Sequence, residues 1–249
     1  MGKQKTVLVI GGAAGIGKDV VINRANKGDQ VVFTDLNNKA GNALVEEIAS
    51  SGKNVTFLQH DVSSWENTKE IVEKTVNKYG KIDILIHSAG ITIQKPFDEI
   101  TYDTWKKTFS VNLTGLFYAV KAIIPEMLEN KRGNIVIIGS GSAITGTGGG
   151  VHYAASKGGA FGLMRAIAKK YSHFGIRINI VAPRVIETEM LNQLYPTESS
   201  REKLLSKIPV NKIGTLSDTT NAINFLASEE SDYIQGQVLL LDGGRTYLT

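Results

Sequence analysis

Two residues in the segment HYAASKGGA (152–160) are spaced to share a proton. Tyr153 and Lys157 stand four positions apart, just after the glycine-rich run GTGGG (146–150). On a helix, four residues advance about 6 Å and turn ~40° past a full circle, so both side chains lie on one face. A free tyrosine titrates near ~10, and an ammonium beside it favours the phenolate and lowers that value. Such a phenol can pass a proton to a carbonyl oxygen or take one from an alcohol. The pair also has a plain structural reading. Tyr-x-x-x-Lys is short, and both residue types are common on half-buried helices.

A second grouping sits at the front of the chain. TVLVIG (6–11) runs into GGAAGIGKDV, which puts Gly11, Gly15 and Gly17 at a strand-to-helix turn. Glycines suit a tight turn whose backbone must touch a pyrophosphate, and the following helix aims its free N–H groups and positive dipole end at the anion. Asp35 closes the next strand, 18 positions after Gly17. A carboxylate there accepts hydrogen bonds from ribose 2′- and 3′-hydroxyls and repels a 2′-phosphate. Leu36 follows it and Ala14 precedes Gly15, so no Arg or Lys is placed to neutralise such a phosphate. The pattern favours NAD(H) over NADP(H); the bland alternative is an Asp that starts a turn.

These groups need elements to hold them. Strands are expected at 6–11, 30–35, 54–60, 83–88, 133–140, 177–183 and 237–242. Most are continuous apolar runs, as strands buried on both faces should be. Amphipathic helices are expected between them, at Lys39–Ser51, Ser64–Lys78, Thr101–Leu128 and Tyr153–His173. Alternation of this kind predicts an α/β, doubly wound (Rossmann) fold: a seven-stranded parallel sheet with helices on both faces. No linker, low-complexity tract or repeat divides the chain, so residues 1–249 are expected to form one domain. The irregular stretch 186–213 is the expected substrate lid.

With the glycine turn and the Tyr153/Lys157 pair together, the chain resembles the short-chain dehydrogenase/reductase family in its single-domain form. Further motifs of that family follow in order: HDV (60–62), HSAG (87–90), VNLTG (111–115), Ser140 thirteen positions before Tyr153, APRVIET (182–188) and LDGG (241–244). The resemblance implies four catalytic residues: Asn112, Ser140, Tyr153 and Lys157. It implies that Asp61 and Val62 line an adenine pocket and that Ser88, Ala89 and Gly90 pack along the cofactor ribose. The backbone of Ile186 and the hydroxyl of Thr188 would hold the nicotinamide end, and Ala14, Ile16, Leu36 and Pro183 complete the expected cofactor contacts. Tyr153, its pKa lowered by Lys157 together with the positively charged nicotinamide of NAD+, would exchange the proton. Lys157 would also bind the nicotinamide ribose, Ser140 orient the reacting oxygen, and Asn112 hold a water that passes protons on. Ser142 is a rival for the serine role, which the spacing gives to Ser140. His152, one position from Tyr153, faces about 100° away.

The chain departs from the family pattern in three places. Ile10 stands where the family usually has Thr, and His87 and Ser88 where it has two asparagines. Arg184 stands where glycine is common, in a turn beside the nicotinamide. Arg184 could bind a substrate carboxylate or phosphate, or simply face solvent or a neighbouring subunit.

The expected activity is NAD(H)-dependent interconversion of a secondary alcohol and a ketone, with an NADP(H)-dependent 3-oxoacyl-type reductase as the alternative. A more distant alternative is a non-catalytic dinucleotide binder. Composition narrows the remaining classes. The chain has no cysteine, and its four histidines lack metal-ligand spacing, so neither disulfide nor metal is expected. The net charge of +4 comes from scattered residues, which argues against nucleic acid as a partner. No apolar run approaches the ~18 residues of a membrane span, and VLVI is too short for a secretory leader. A cytoplasmic enzyme is expected, with a small alcohol or ketone as substrate. The resemblance adds a homotetramer built on the two long helices and the last strand. The substrate pocket should come from 91–97, 141–152 and 186–213, with Leu191, Leu194 and Tyr195 as an apolar lid.

Overall fold

The first strand, β1 (Thr6–Ile10), is buried at every position, and its side chains alternate between two cores. Val7 and Val9 point to one face of a sheet, Leu8 and Ile10 to the other. The computed structural model describes residues 4–188, 191–192 and 195–248. Leu194, expected in the lid, lies outside them.

Six more strands pair in parallel with β1 or with one another: β2 (Gln30–Asp35), β3 (Val55–Gln59), β4 (Ile84–His87), β5 (Gly133–Ile138), β6 (Ile176–Pro183) and β7 (Val238–Leu241). Their order is β3-β2-β1-β4-β5-β6-β7. Leu8 pairs with Val32 on one side and Leu85 on the other. The order reverses at β1, so the connections from β1 and β4 leave in opposite directions and open a crevice at the carboxyl ends.

Helices α1 (Gly15–Asn26) and α2 (Asn38–Ser50) cover one face of the sheet. There Val20, Val21, Leu44 and Ile48 pack on Val7, Val9, Val31 and Phe33. α3 (Trp65–Tyr79) covers the other face and is capped by Ser64, which accepts from the Asn67 N–H. It shares its core with Leu116, Val120, Ile123 and Met127. Each such fully buried aliphatic side chain contributes about 1.5–3 kcal/mol relative to exposure.

The helix expected at Thr101–Leu128 is three pieces wound end to end. α4 (Tyr102–Phe109) passes into a π-helical turn (Ser110–Thr114) and then α5 (Gly115–Glu129). The wide turn has a cause in Asn112. Its Oδ1 accepts from the Ile91 N–H at 2.8 Å, and its Nδ2 donates to the Ile91 carbonyl at 2.9 Å and to Ser156 Oγ at 3.1 Å. Tyr102–Glu129 has the length and apolarity of a membrane span, but the apolar stripe of α5 packs on the sheet.

The second long helix, α7 (Val151–Tyr171), begins two residues earlier than expected and follows a short helix, α6 (Ser142–Thr145). Between β6 and β7 lie α8 (Glu198–Leu205) and α9 (Leu216–Leu226). The α8 helix falls inside the stretch expected to be irregular. Its signal was present: the Thr197 and Ser200 side chains cap each other's backbone N–H groups in a capping box.

Candidate active site

The crevice at the carboxyl ends of β1 and β4 opens into a cleft of about 790 Å3. Its walls include Gly11, Ala14, Gly15, Ile16, Asp35, Leu36, Asp61, Val62, Ser88, Ala89, Gly90, Ser140, Tyr153, Lys157, Pro183, Ile186 and Thr188. Two expected residues are absent from this wall. Gly17 lies beneath the turn, where a Cβ would come 1.9 Å from the Gly11 carbonyl oxygen. Asn112 is buried behind Gly90, whose Cβ would sit 3.2 Å from Lys157 Nζ and 3.4 Å from Asn112 Oδ1.

The glycine turn is shaped by its neighbours. Gly11 has φ 80 and presses on Ala89, whose backbone N would meet a Cβ at 2.5 Å. Gly15 has φ 51, and a Cβ there would meet no atom within 4 Å, so its backbone faces open space at the start of α1. A pyrophosphate can approach the chain there. Asp35 is fixed at the same end: its Oδ2 accepts from the Ala13 N–H at 3.1 Å and its Oδ1 from the Asn37 N–H at 3.0 Å. Asp61 lines that end too, and two hydrogen bonds from Ser63 hold its carboxyl below the usual range.

Ser140 follows β5 and is 8% exposed. Its hydroxyl accepts from the Ser142 N–H at 3.1 Å and acts on the neighbouring Tyr153 phenol, favouring its ionised form. The Ser142 backbone thereby orients the Ser140 hydroxyl, and both serines line the cleft. Lys157 is buried, and its ammonium donates to the Ile138 carbonyl at 2.9 Å. Burial pulls its pKa down to about 8. The lowering of the Tyr153 pKa is expected from Lys157 together with the positive nicotinamide of bound NAD+; in the protein alone burial raises the phenol, and Ser140 acts against that rise. His152 is fully buried away from the cleft with its Nε2 donating to the Ile93 carbonyl at 2.8 Å.

Of the expected substrate wall, Ile91, Thr92, Thr147, Gly148, Gly149, Leu191 and Tyr195 line the cleft. Sequence reasoning missed Lys107, Val111 and Arg245, which line it as well. Lys107 and Val111 flank the junction of α4 with the π-helical turn, and Arg245 follows LDGG. No local pattern marks Lys107 or Arg245, because the long-range packing of α4 and of the segment after β7 brings them in, whereas Val111 opens VNLTG, a motif read for its Asn112. The departures from the family pattern are absorbed differently. Ile10 is core; the Ser88 N–H donates to the Ile10 carbonyl at 2.8 Å. His87 is buried with an unpartnered Nε2, and burial lowers its pKa to about 3.

The arrangement has the parts for hydride transfer. A pyrophosphate-sized approach, a ribose-binding carboxylate and a buried lysine lie along one cleft with a phenol and a serine hydroxyl. These residues fit a nicotinamide dinucleotide.

Comparison with known proteins gives the same direction. Residues 11–246 match a family model described as enoyl-(acyl carrier protein) reductase. The chain is 38% identical over 240 residues to the 3-oxoacyl-[acyl-carrier-protein] reductase FabG of Thermotoga maritima, covering 96% of this chain and 97% of that one. It is 35% identical to the (2S)-[(R)-hydroxy(phenyl)methyl]succinyl-CoA dehydrogenase subunit BbsD of Thauera aromatica, covering 99% of this chain and 98% of that one. Among solved structures, gox2181 superposes with a TM-score of 0.93 at 30% identity, covering 98% of this chain and 96% of that one. Levodione reductase does so at 0.91 and 29%, covering 97% of each.

Proposed function

The chain belongs to the short-chain dehydrogenase/reductase family and is an NAD(P)-dependent oxidoreductase; from that premise we propose that it reduces the ketone of a 3-oxoacyl compound to a secondary alcohol, with NADH as the preferred donor. The relatives from Thermotoga maritima and Escherichia coli are named 3-oxoacyl-[acyl-carrier-protein] reductases. That favours the 3-oxoacyl alternative over a general alcohol dehydrogenase. The observation that carries the reading is that Ser140, Tyr153 and Lys157 line the same cleft as Asp35 and the glycine turn.

The dinucleotide supplies the hydride when bound. The protein's own residues do the rest. Ser140 holds the substrate oxygen, and the protonated Tyr153 donates to it as negative charge develops. Lys157 binds ribose hydroxyls, and Asn112 fixes the Ile91 backbone behind it. Gly11, Gly15 and the first turn of α1 bind the pyrophosphate. NADH is preferred because Asp35 and Asp61 repel a 2′-phosphate. Residues 186–213, with Leu191 and Tyr195 on the wall, act as the lid over the single domain 1–249. The enzyme is assigned to the cytoplasm and to a homotetramer through α4, α5 and α7, where Tyr102, Trp105 and Phe117 are exposed; light scattering showing a monomer would remove that assignment.

The test is NADH oxidation followed by absorbance with a 3-oxobutyryl thioester, a simple ketone and a secondary alcohol. Turnover of the thioester well above that of the simple ketone is expected. Turnover confined to simple ketones and alcohols returns the enzyme to the general dehydrogenase reading, and a strong preference for NADPH overturns the role given to Asp35.

A further inference from the structure

Arg184 leaves β6 at the one point where the chain places a large cation in a turn that commonly holds glycine. Its backbone is fixed: the N–H donates to the Leu241 carbonyl at 2.8 Å, and the preceding Pro183 carbonyl accepts from the Gly141 N–H at 3.1 Å. The next residue, Val185, has φ 63, a left-handed conformation that β-branched residues avoid. Strain of that kind persists only where the surroundings enforce it, and it gathers at binding sites.

The side chain runs across the serine loop. A Cβ on Gly141, the residue after Ser140, would come 2.9 Å from Arg184 Cβ and 3.0 Å from its Cδ. The guanidinium then donates to Thr246 Oγ1 at 2.9 Å and to Thr147 Oγ1 at 3.0 Å. Both acceptors are neutral, and among the described residues Arg184 forms no ion pair within 4.0 Å. Arg184, Thr147 and Arg245 line the same cleft as Ser140 and Tyr153. The carboxylates among its described lining residues, Asp35 and Asp61, belong to the glycine-turn end. Burial, and then the nearby Arg245 charge, lower the Arg184 pKa, while Asp242 and Tyr195 act the other way. A guanidinium hydrogen-bonded to two hydroxyls, with Asp242 nearby but outside ion-pair distance, retains donors for a planar anion.

We propose that Arg184 is a specificity-determining residue that binds a substrate carboxylate while the ketone of the same molecule rests on Ser140 and Tyr153. The proposal rests on the ketone-reductase reading above but not on its thioester: it sets the substrate class as ketones bearing a free carboxylate, so a 3-oxo acid is turned over above the corresponding thioester. The Arg184 stem lies against Gly141, the residue after Ser140, which brings the carboxylate and ketone sites to neighbouring parts of one cleft.

The test compares three probes that share one ketone: acetoacetate, ethyl acetoacetate and acetoacetyl-CoA. Arg184→Gln removes the charge and keeps hydrogen-bonding capacity, and Arg184→Lys keeps the charge. Arg184→Gln should lower kcat/KM for acetoacetate by about 30-fold or more and for the ester far less, with Arg184→Lys recovering part of the loss. Equal losses on acid and ester would make Arg184 a strap between the 145–150 loop and the C-terminal segment and overturn the proposal. A loss confined to acetoacetyl-CoA would assign Arg184 to a carrier phosphate and also overturn it. Calorimetry of malonate, which cannot be reduced, on the NADH-loaded protein gives a readout free of turnover. Wild-type binding that weakens about 30-fold in Arg184→Gln supports the subsite, and no difference ends it. If no ketone is reduced but malonate binding depends on Arg184, the reductase reading has failed and the anion site has not.

Discussion

The Lys157 ammonium donates to the Ile138 carbonyl at 2.9 Å and lies 5.9 Å from the centre of the Tyr153 ring. In the protein alone the lysine is therefore tied to the end of β5, and burial governs the phenol. The expected activation of Tyr153 by Lys157 needs the cofactor's positive ring and ribose in the cleft as well. Burial raises the phenol's pKa, and the Ser140 hydroxyl acts against that rise.

Replacing Tyr153 by Phe removes the proton donor and little volume. Turnover should fall by about 100-fold to 10,000-fold, while NADH binding, followed by fluorescence titration, stays within a few-fold of wild type. Undiminished turnover would remove Tyr153 from the proton path.

Asp35 carries the proposed preference for NADH. Asp35→Asn keeps its size and an acceptor for the Ala13 or Asn37 N–H but removes the charge. The KM for NADPH should drop by about tenfold, the scale of one like-charge contact near a surface, with NADH binding weakened. An unchanged ratio of the two KM values would mean that this carboxylate does not face the 2′-position.

Gly17→Ala tests the turn. Its Cβ would meet the Gly11 carbonyl oxygen at 1.9 Å and the Gly11 carbonyl carbon at 2.9 Å, both backbone atoms that cannot rotate aside. A destabilisation of about 3 kcal/mol or more is expected, with loss of NADH binding. Thermal melting and titration read the two separately. A stable variant that binds normally would show that the turn opens easily.

Two buried histidines make the fold sensitive to mild acid. Burial lowers His60 from 6.5 to about 4 and His87 from 6.5 to about 3. His60 sits between Thr34 Oγ1 at 3.1 Å and Thr68 Oγ1 at 3.0 Å. The unfolded chain binds these protons first, so their contribution is complete above pH 6.5 and is lost as pH falls toward the folded values. Each should cost about 1.4 kcal/mol per pH unit in that window. Asp218, held at about 2 by Thr215 and Lys212, acts only at lower pH. Urea midpoints at pH 7 and 5 check this, and the His60→Gln, His87→Asn double variant should flatten the difference.

Much of this was legible in the sequence because it depends on local pattern. Seven apolar runs separated by amphipathic stretches specify a parallel sheet buried on both faces, and all seven form. The glycine turn, Asp35 and the Tyr153/Lys157 spacing are visible because each is short and chemically marked. The illegible parts depend on distant contacts. Asn112 sits behind the cleft wall, held by Ile91 and Ser156, and nothing in VNLTG alone announces a π-helical turn. Arg245 reaches the cleft only because the segment after β7 turns back toward Thr147 through Arg184 and Thr246. The direction of the Tyr153 shift depends on how deeply the ring is enclosed, which spacing cannot report.

The π-helical turn at Ser110–Thr114 carries one residue more than an α-helical turn would use. Losing a single codon there would let the helix rewind evenly and rotate Tyr102–Phe109 by about 100° against Gly115–Glu129. Lys107 would swing off the cleft wall, and the stacked Trp105 and Phe109 rings, 4.4 Å apart, would turn with it. That in-frame deletion would leave Ser140, Tyr153 and Lys157 encoded as before and still misalign the enzyme, because the surplus residue works as an angular spacer.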